Sequence, residues 1–81
     1  MEVKMFVFED VLQDYTSGMV LIAAEDLLEA QMIAFKEYNY RKEFTLADFL
    51  EQQPGFKLAS GMYTLATGGI KGVLHSVHGG G

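Results

Sequence analysis

The sequence predicts a single small α+β domain in which one main helix packs across a mostly antiparallel sheet of four or five strands. Three observations favour this class: two apolar segments rich in β-branched and aromatic residues near the start, one long amphipathic segment after them, and further β-like segments towards the end. The predicted order is ββα(α)ββ, with a β-grasp-like arrangement as one form of it. We expect one domain over residues 1–78 and a flexible glycine tail at residues 79–81.

The first two strands are predicted at residues 3–8 and 19–24. Both alternating sets of side chains in residues 3–8 are largely apolar, which is typical of a central strand. The segment between the two strands ends in Asp-Tyr-Thr-Ser-Gly, residues 14–18, a composition that favours a turn. We therefore expect an antiparallel hairpin over residues 3–24.

Residues 25–38 have the periodicity of the main helix. Asp26 followed by Glu29 suits the first turn, and Asn39 suits the end. Ile33 is expected among the charged residues, either as an isolated surface isoleucine or as part of a partner contact. The stripe expected to face the sheet, interrupted by Gln31, consists of Leu27, Leu28, Met32, Ala34, Phe35 and Tyr38.

The second half of the chain predicts a short helix followed by β structure. Thr45 with Asp48 three residues later resembles a capping box for a helix over residues 45–53, which Pro54 and Gly55 end. Strands are then expected at residues 56–59, 62–67 and 70–77, with a hairpin turn at residues 68–69 and a bulge or close backbone approach near residue 72. The expected core is Phe6, Phe8, Leu21, Leu28, Met32, Phe35, Phe49, Leu50, Leu65, Val73 and Val77.

Composition and charge exclude several classes of protein. There is no cysteine, so disulfides, a thiolate nucleophile and cysteine-ligated zinc are excluded. The net charge is −5, and the acidic residues concentrate in the first half, which argues against direct nucleic-acid binding. No apolar run approaches the roughly 18 residues of a membrane span, and the N-terminus does not resemble a signal peptide. We expect a cytoplasmic protein that does not bind membranes.

Candidate chemical groups are sparse. Glu9, Asp10 and Asp14 lie close enough in sequence to suggest a hard cation, but their spacing matches no calcium loop, and we interpret them as a solvated acidic loop. His75 and His78 are three residues apart, so in a strand they point to opposite faces and cannot share a metal without a bulge between them. We therefore expect no enzyme activity, no metal and no cofactor.

The sharpest sequence feature is the terminal triplet of glycines, residues 79–81. A C-terminal carboxylate on a glycine arm fits a narrow active-site channel in which it can be adenylated and transferred. The order of elements leading to Gly80 and Gly81 resembles the ubiquitin-like and sulfur-carrier (MoaD/ThiS-type) β-grasp proteins. That resemblance implies a carrier or modifier activated by an E1-like enzyme, with Gly81 as the reacting residue.

A second hypothesis is an acidic binding protein without covalent chemistry. In general character the chain is similar to small bacterial, phage-encoded or mobile-element proteins that inhibit host defence or nucleic-acid-binding complexes by occupying a basic surface. Homo-oligomerisation through a sheet edge or an apolar face is a third possibility. The residues expected to contact a protein partner are Glu9, Asp10, Asp14, Glu25, Asp26, Glu29 and Ile33.

Overall fold

The fold is seen in a computed structural model that describes residues 3–12, 18–39, 43–64 and 70–77. Within these ranges the chain forms four strands, two α-helices and one short 3-10 helix. The strands are β1 (Lys4–Val11), β2 (Gly18–Ala24), β3 (Gly61–Thr64) and β4 (Gly72–Val77). The helices are α1 (Leu27–Tyr38) and α2 (Leu46–Gln52), and the 3-10 helix is Pro54–Phe56.

The sheet is antiparallel throughout, with the spatial order β3-β1-β2-β4. The predicted hairpin of β1 and β2 is confirmed, and Phe6 pairs with Ile22 at its centre. β3 and β4 lie at opposite edges, so the prediction that they pair with each other as a hairpin is wrong. Each pairs instead with a free edge of the central hairpin, and the glycines predicted to form the turn lie outside the described residues.

Both α-helices begin where their sequence signals predict. The Asp26 side chain accepts a hydrogen bond from the Glu29 N–H at 2.8 Å, and the Asn39 N–H donates to the Phe35 carbonyl at 3.0 Å where α1 ends. In α2, Thr45 and Asp48 form a reciprocal capping box. These local contacts satisfy backbone groups that a helix end would otherwise leave unpaired.

The core lies between one face of the sheet and the helices. Phe56, carried by the 3-10 helix, is fully buried at its centre, with ring centroids 5.1 Å from Phe8, 5.4 Å from Phe49 and 6.2 Å from Tyr38. The predicted core residues that are buried are Phe6, Phe8 and Phe49, and those packed partly buried against them are Phe35, Leu50 and Val73.

Other core and strand predictions are wrong. Leu28, Met32 and Val77 are exposed, and Leu21 is half-buried on the sheet face away from the helices. Leu65 lies outside the described residues, so its place in the core stays a prediction. The strand predicted at residues 56–59 does not form, because the Lys57 N–H closes a 3-10 turn onto the Pro54 carbonyl. That turn directs Phe56 into the core.

The helices pack against one face of the sheet, which confirms the predicted α+β arrangement. Because successive side chains of a strand point to opposite faces, the strand pairing places a largely apolar set of side chains on the other face of the sheet. We call this set the outer sheet face, and it consists of Met5, Val7, Glu9, Met19, Leu21, Ala23, Tyr63, His75 and Val77. In the described part of the chain, no helix combines the length and the apolarity needed to cross a membrane.

Candidate functional site

The main helix α1 is rotated relative to the orientation that its apolar stripe predicts. Its fully buried positions include Ala30 and Ala34, which let the helix approach the sheet closely, whereas Leu28 and Met32 remain 57% and 55% exposed. Gln31 lies on the buried side and donates from its amide to the carbonyls of Phe56 at 3.0 Å and Lys57 at 3.2 Å. An apolar side chain there could not satisfy these carbonyls, so the polar residue favours the observed rotation.

The rotation leaves an apolar groove of about 440 Å³ on the outward surface of α1. Leu28, Met32 and Phe35 are spaced i, i+4 and i+7, which places them along one line of the helix. The Phe35 ring packs edge-on against Phe49, with centroids 5.7 Å apart, and this contact fixes the floor of one end. We call this surface the α1 groove, and it is lined by Leu28, Glu29, Met32, Ile33, Phe35 and Lys36.

Ile33 belongs to this groove and is not an isolated surface residue. It is half-buried, packs against the core cluster and also lines the outward surface. A helical wheel shows Ile33 only beside charged residues, and two of these, Glu29 and Lys36, form the polar part of the groove lining. The apolar surface of α1 is therefore broader than the stripe that the sheet and the remaining helical elements cover.

The acidic residues predicted to contact a partner divide into two groups. Glu9 pairs with Met19 near one end of the central hairpin, whereas Glu25 follows Ala24, which pairs with Lys4 at the other end. At a rise of about 3.4 Å per residue, the five steps from Met19 to Ala24 separate the groups by about 17 Å. The structure therefore does not bring these carboxylates together, and Asp14 lies outside the described residues.

The acidic residues at the start of α1 form hydrogen bonds and ion pairs within the molecule. Asp26 caps the helix, and the Glu25 N–H donates to Glu29 Oε1 at 2.8 Å. Lys71, just before β4, donates from Nζ to Glu25 and, at 3.1 Å, to Glu29. The Glu25 N–H and then Lys71 lower the pKa of Glu29, while hydrogen bonds to Glu25 and then Glu29 raise the pKa of Lys71.

Glu9 and Asp10 are exposed at an irregularity of β1. The pairing with β2 shifts between Glu9 and Val11, and Asp10 has φ 59°, in the left-handed region. Gly55 passes so close that a Cβ there would lie 2.5 Å from the Glu9 carbonyl oxygen. The described residues contain no group of three side chains placed to hold a metal ion.

The remaining predictions concern the two histidines and the glycine tail. His75 lies exposed on the outer sheet face, and its predicted neighbour His78 lies outside the described residues. Gly80 and Gly81 lie outside them too, so the carrier tail stays a prediction.

Sequence reasoning missed two features of the surface. The pairing of Lys71 with Glu25 joins residues 46 positions apart, so no local spacing could indicate it. The sequence did contain a signal for the α1 groove, because the apolar residues of α1 cover more of the helix surface than packing on one side requires.

Comparison of the chain with protein-family models, with curated proteins and with solved structures gives no match.

Proposed function

We propose that this protein is a non-enzymatic protein-interaction module that binds its partner through the α1 groove. The observation that supports this most directly is the exposure of Leu28 and Met32, above one half of their surface each, beside Phe35 in one apolar groove. An i, i+4, i+7 series is the pattern by which a helix docks into an apolar groove of another protein. The expected partner surface is accordingly an apolar cleft that accepts one helix.

The α1 helix is already fixed in the orientation that docking requires. Its start is capped by Asp26, its middle is held by Gln31, and its inner side packs through Ala30 and Ala34. A helix held in this way loses little conformational freedom on binding, which favours affinity. Glu29 and Lys36 supply one charge of each sign at the groove, so we expect them to influence orientation more than affinity.

The acidic-inhibitor hypothesis is the alternative. Its residues Glu25 and Glu29 pair with Lys71, which reduces the negative potential at the start of α1, and this is why we place the contact on the apolar side chains. The carrier hypothesis, with Gly80 and Gly81 as the reacting tail and an E1-like enzyme as partner, concerns a different part of the chain.

Site-specific photocrosslinking tests the proposal. A benzophenone amino acid at position 32 is expected to crosslink a partner in lysate of the source cells, while the same probe at Glu51, exposed on α2, gives much less product. Excess unlabelled protein should compete, and excess Met32→Glu protein should not, since a carboxylate in the apolar contact would be desolvated. Circular dichroism serves as the folding control.

Equal crosslinking from both positions, or equal competition by the Met32→Glu protein, would contradict the proposal. Deletion of Gly80 and Gly81 separates the hypotheses, because it should leave crosslinking at position 32 unchanged. Loss of the partner on that deletion would favour the carrier. Replacing Glu9 and Asp10 by lysine addresses the acidic alternative, which requires a large loss of binding and a changed salt dependence.

A further inference from the structure

The outer sheet face is a second apolar surface, independent of the α1 groove. Its side chains form three cross-strand rows that follow from the pairing of the four strands. The first row runs Tyr63, Met5, Ala23 and Gly72; the second runs Gly61, Val7, Leu21 and His75; the third runs Glu9, Met19 and Val77. Tyr63 lies along this face, since a Cβ on Gly61 would be 3.1 Å from its ring.

The composition of this face is unusual for the solvent side of an antiparallel sheet. Such a sheet commonly alternates apolar residues towards the core with polar residues towards water. Here Ala23 is fully buried and Met5, Val7, Met19 and Leu21 are half-buried on the outer side, while Tyr63 and Val77 at the two edges are 58% and 46% exposed. Apolar side chains that stay partly exposed across one sheet face favour a contact with another protein.

The charge distribution identifies the kind of partner. The chain carries a net charge of −5, so two copies repel unless they meet through a surface with few charges. On the outer sheet face the ionisable side chains of the three rows are Glu9, His75 and the Tyr63 phenol. The cap of α1 and the two helices carry one basic residue, Lys36, and the acidic residues Asp26, Glu29, Glu37, Asp48 and Glu51. A second copy can approach this face without juxtaposing the acidic helices.

We propose that two copies of this chain associate face to face through their outer sheet faces. The molecule measures 34 × 28 × 17 Å, and its thin dimension corresponds to one sheet layer and one helix layer. An ellipse with axes of 34 and 28 Å encloses about 750 Å², close to the roughly 800 Å² per partner that a stable protein interface buries. This outline of the whole molecule is the upper limit for the outer sheet face, and it is of the size that a symmetric dimer needs.

The sheet edges favour stacking over edge-to-edge pairing. β3 is only four residues long, and β4 has an irregularity in its pairing with β2 and a φ of 138° at Gly72. Short and irregular edge strands are poor templates for the addition of another strand. Two copies therefore meet through the apolar rows of the outer sheet face.

Sedimentation velocity over a range of about 1 µM to about 1 mM tests this proposal. The wild-type protein, of 9.0 kDa, is expected to convert to a species of twice that mass as concentration rises. Tyr63→Lys and Val77→Lys place an ammonium on the outer sheet face at opposite edges, and each should raise the dissociation constant about tenfold or more. Met62→Lys is the matched control: Met62 precedes Tyr63, is 55% exposed and pairs with the inward-facing Phe6, so its change should stay within about twofold.

The control also carries the same added charge as Tyr63→Lys, so a general charge effect would move both equally. A wild-type protein that remains at 9.0 kDa throughout overturns the proposal, as does a Met62→Lys protein that dissociates as much as Tyr63→Lys. If Tyr63→Lys does not fold by circular dichroism, Val77→Lys decides: a dimer that it leaves intact overturns the proposal. Neither variant touches the α1 groove, so failure here leaves the proposed function standing.

Discussion

Neighbouring residues of β1 face opposite sides of the sheet: Phe8 is fully buried beside Phe56, whereas Val7 is half-buried on the outer sheet face. Both sides of the central hairpin are apolar, yet α1, α2 and the 3-10 helix cover only the side with the larger aromatic side chains. The comparison teaches that strand hydrophobicity does not determine which face the helices cover. The covered face is determined by the packing of aromatic rings and by specific contacts with the backbone. Separate substitutions can remove each of these contacts.

The largest difference between the two faces should appear when a side chain is truncated on each. Phe8→Ala removes a buried ring from the aromatic cluster and should lower the free energy of unfolding by about 3–5 kcal/mol. Val7→Ala removes both methyl groups of the side chain from a partly exposed position and should cost only about 1 kcal/mol.

Urea unfolding at low protein concentration measures both values without a contribution from association. A loss for Val7→Ala as large as that for Phe8→Ala would show that the two faces contribute equally to the monomer.

A smaller effect is expected where the 3-10 helix approaches β1. In Gly55→Ala the new methyl group would lie 2.5 Å from the Glu9 carbonyl oxygen and 2.7 Å from that of Asp10, and backbone cannot move aside easily. We expect a loss of about 1–3 kcal/mol from overpacking.

Gly61→Ala is the matched substitution on the outer sheet face. Its closest contact, at 3.1 Å, is with the exposed Tyr63 ring, which can rotate away, so thermal unfolding should change much less. Equal losses would indicate a general effect of glycine replacement and not the close approach at Gly55.

Gln31 supplies a polar contact that attaches α1 to the same covered side. Gln31→Ala leaves the carbonyls of Phe56 and Lys57 without the amide donor, and we expect a loss of about 1–2 kcal/mol in urea unfolding. Gln52→Ala, at an exposed position in the last turn of α2, is the control and should change stability by less than about 0.5 kcal/mol. A similar loss in both would contradict the role given to the Gln31 amide.

The smallest effect concerns the ion pairs that join α1 to the segment before β4. Because the folded pKa of Glu29 is lowered, its carboxylate contributes stability above the pKa of an unfolded glutamate and loses that contribution as pH falls through the folded value. Glu29→Gln should therefore be less stable than wild type at neutral pH, and the difference should shrink in acid.

Lys71 has the opposite dependence. Its raised pKa means that its contribution is complete below the unfolded value and is lost as pH rises through the folded value. Glu51→Gln removes the exposed pair with Lys57, 3.3 Å long, and should change thermal stability less than Glu29→Gln at neutral pH. A Glu29→Gln difference that does not vary between neutral and acidic pH would contradict the pKa direction.

Local signals predicted the parts of the fold that depend on neighbouring residues. The β1–β2 hairpin, the Asp26 cap, the end of α1 at Asn39 and the capping box of Thr45 were all visible because their interacting groups are close in sequence. Such contacts form with little loop-closure cost and leave regular spacings.

Distant contacts account for what the sequence could not predict. The rotation of α1 depends on the amide of Gln31 meeting carbonyls 25 and 26 residues away, and no helical wheel contains that information. The placement of β3 and β4 depends on which hairpin edge each one reaches, although their composition predicted the strands themselves. The exposure of Leu28 and Met32 follows from the first of these contacts.

Helices on only one side of the sheet determine the geometry of a dimer joined through the other side. The two copies of α1 would lie on the outer surfaces of a four-layer assembly about twice the 17 Å thickness of one molecule, directed away from each other. Each α1 groove would then be free to engage its own partner. The pair would act as a bivalent bridge, and targets that present two clefts on one scaffold would be held more tightly than single ones.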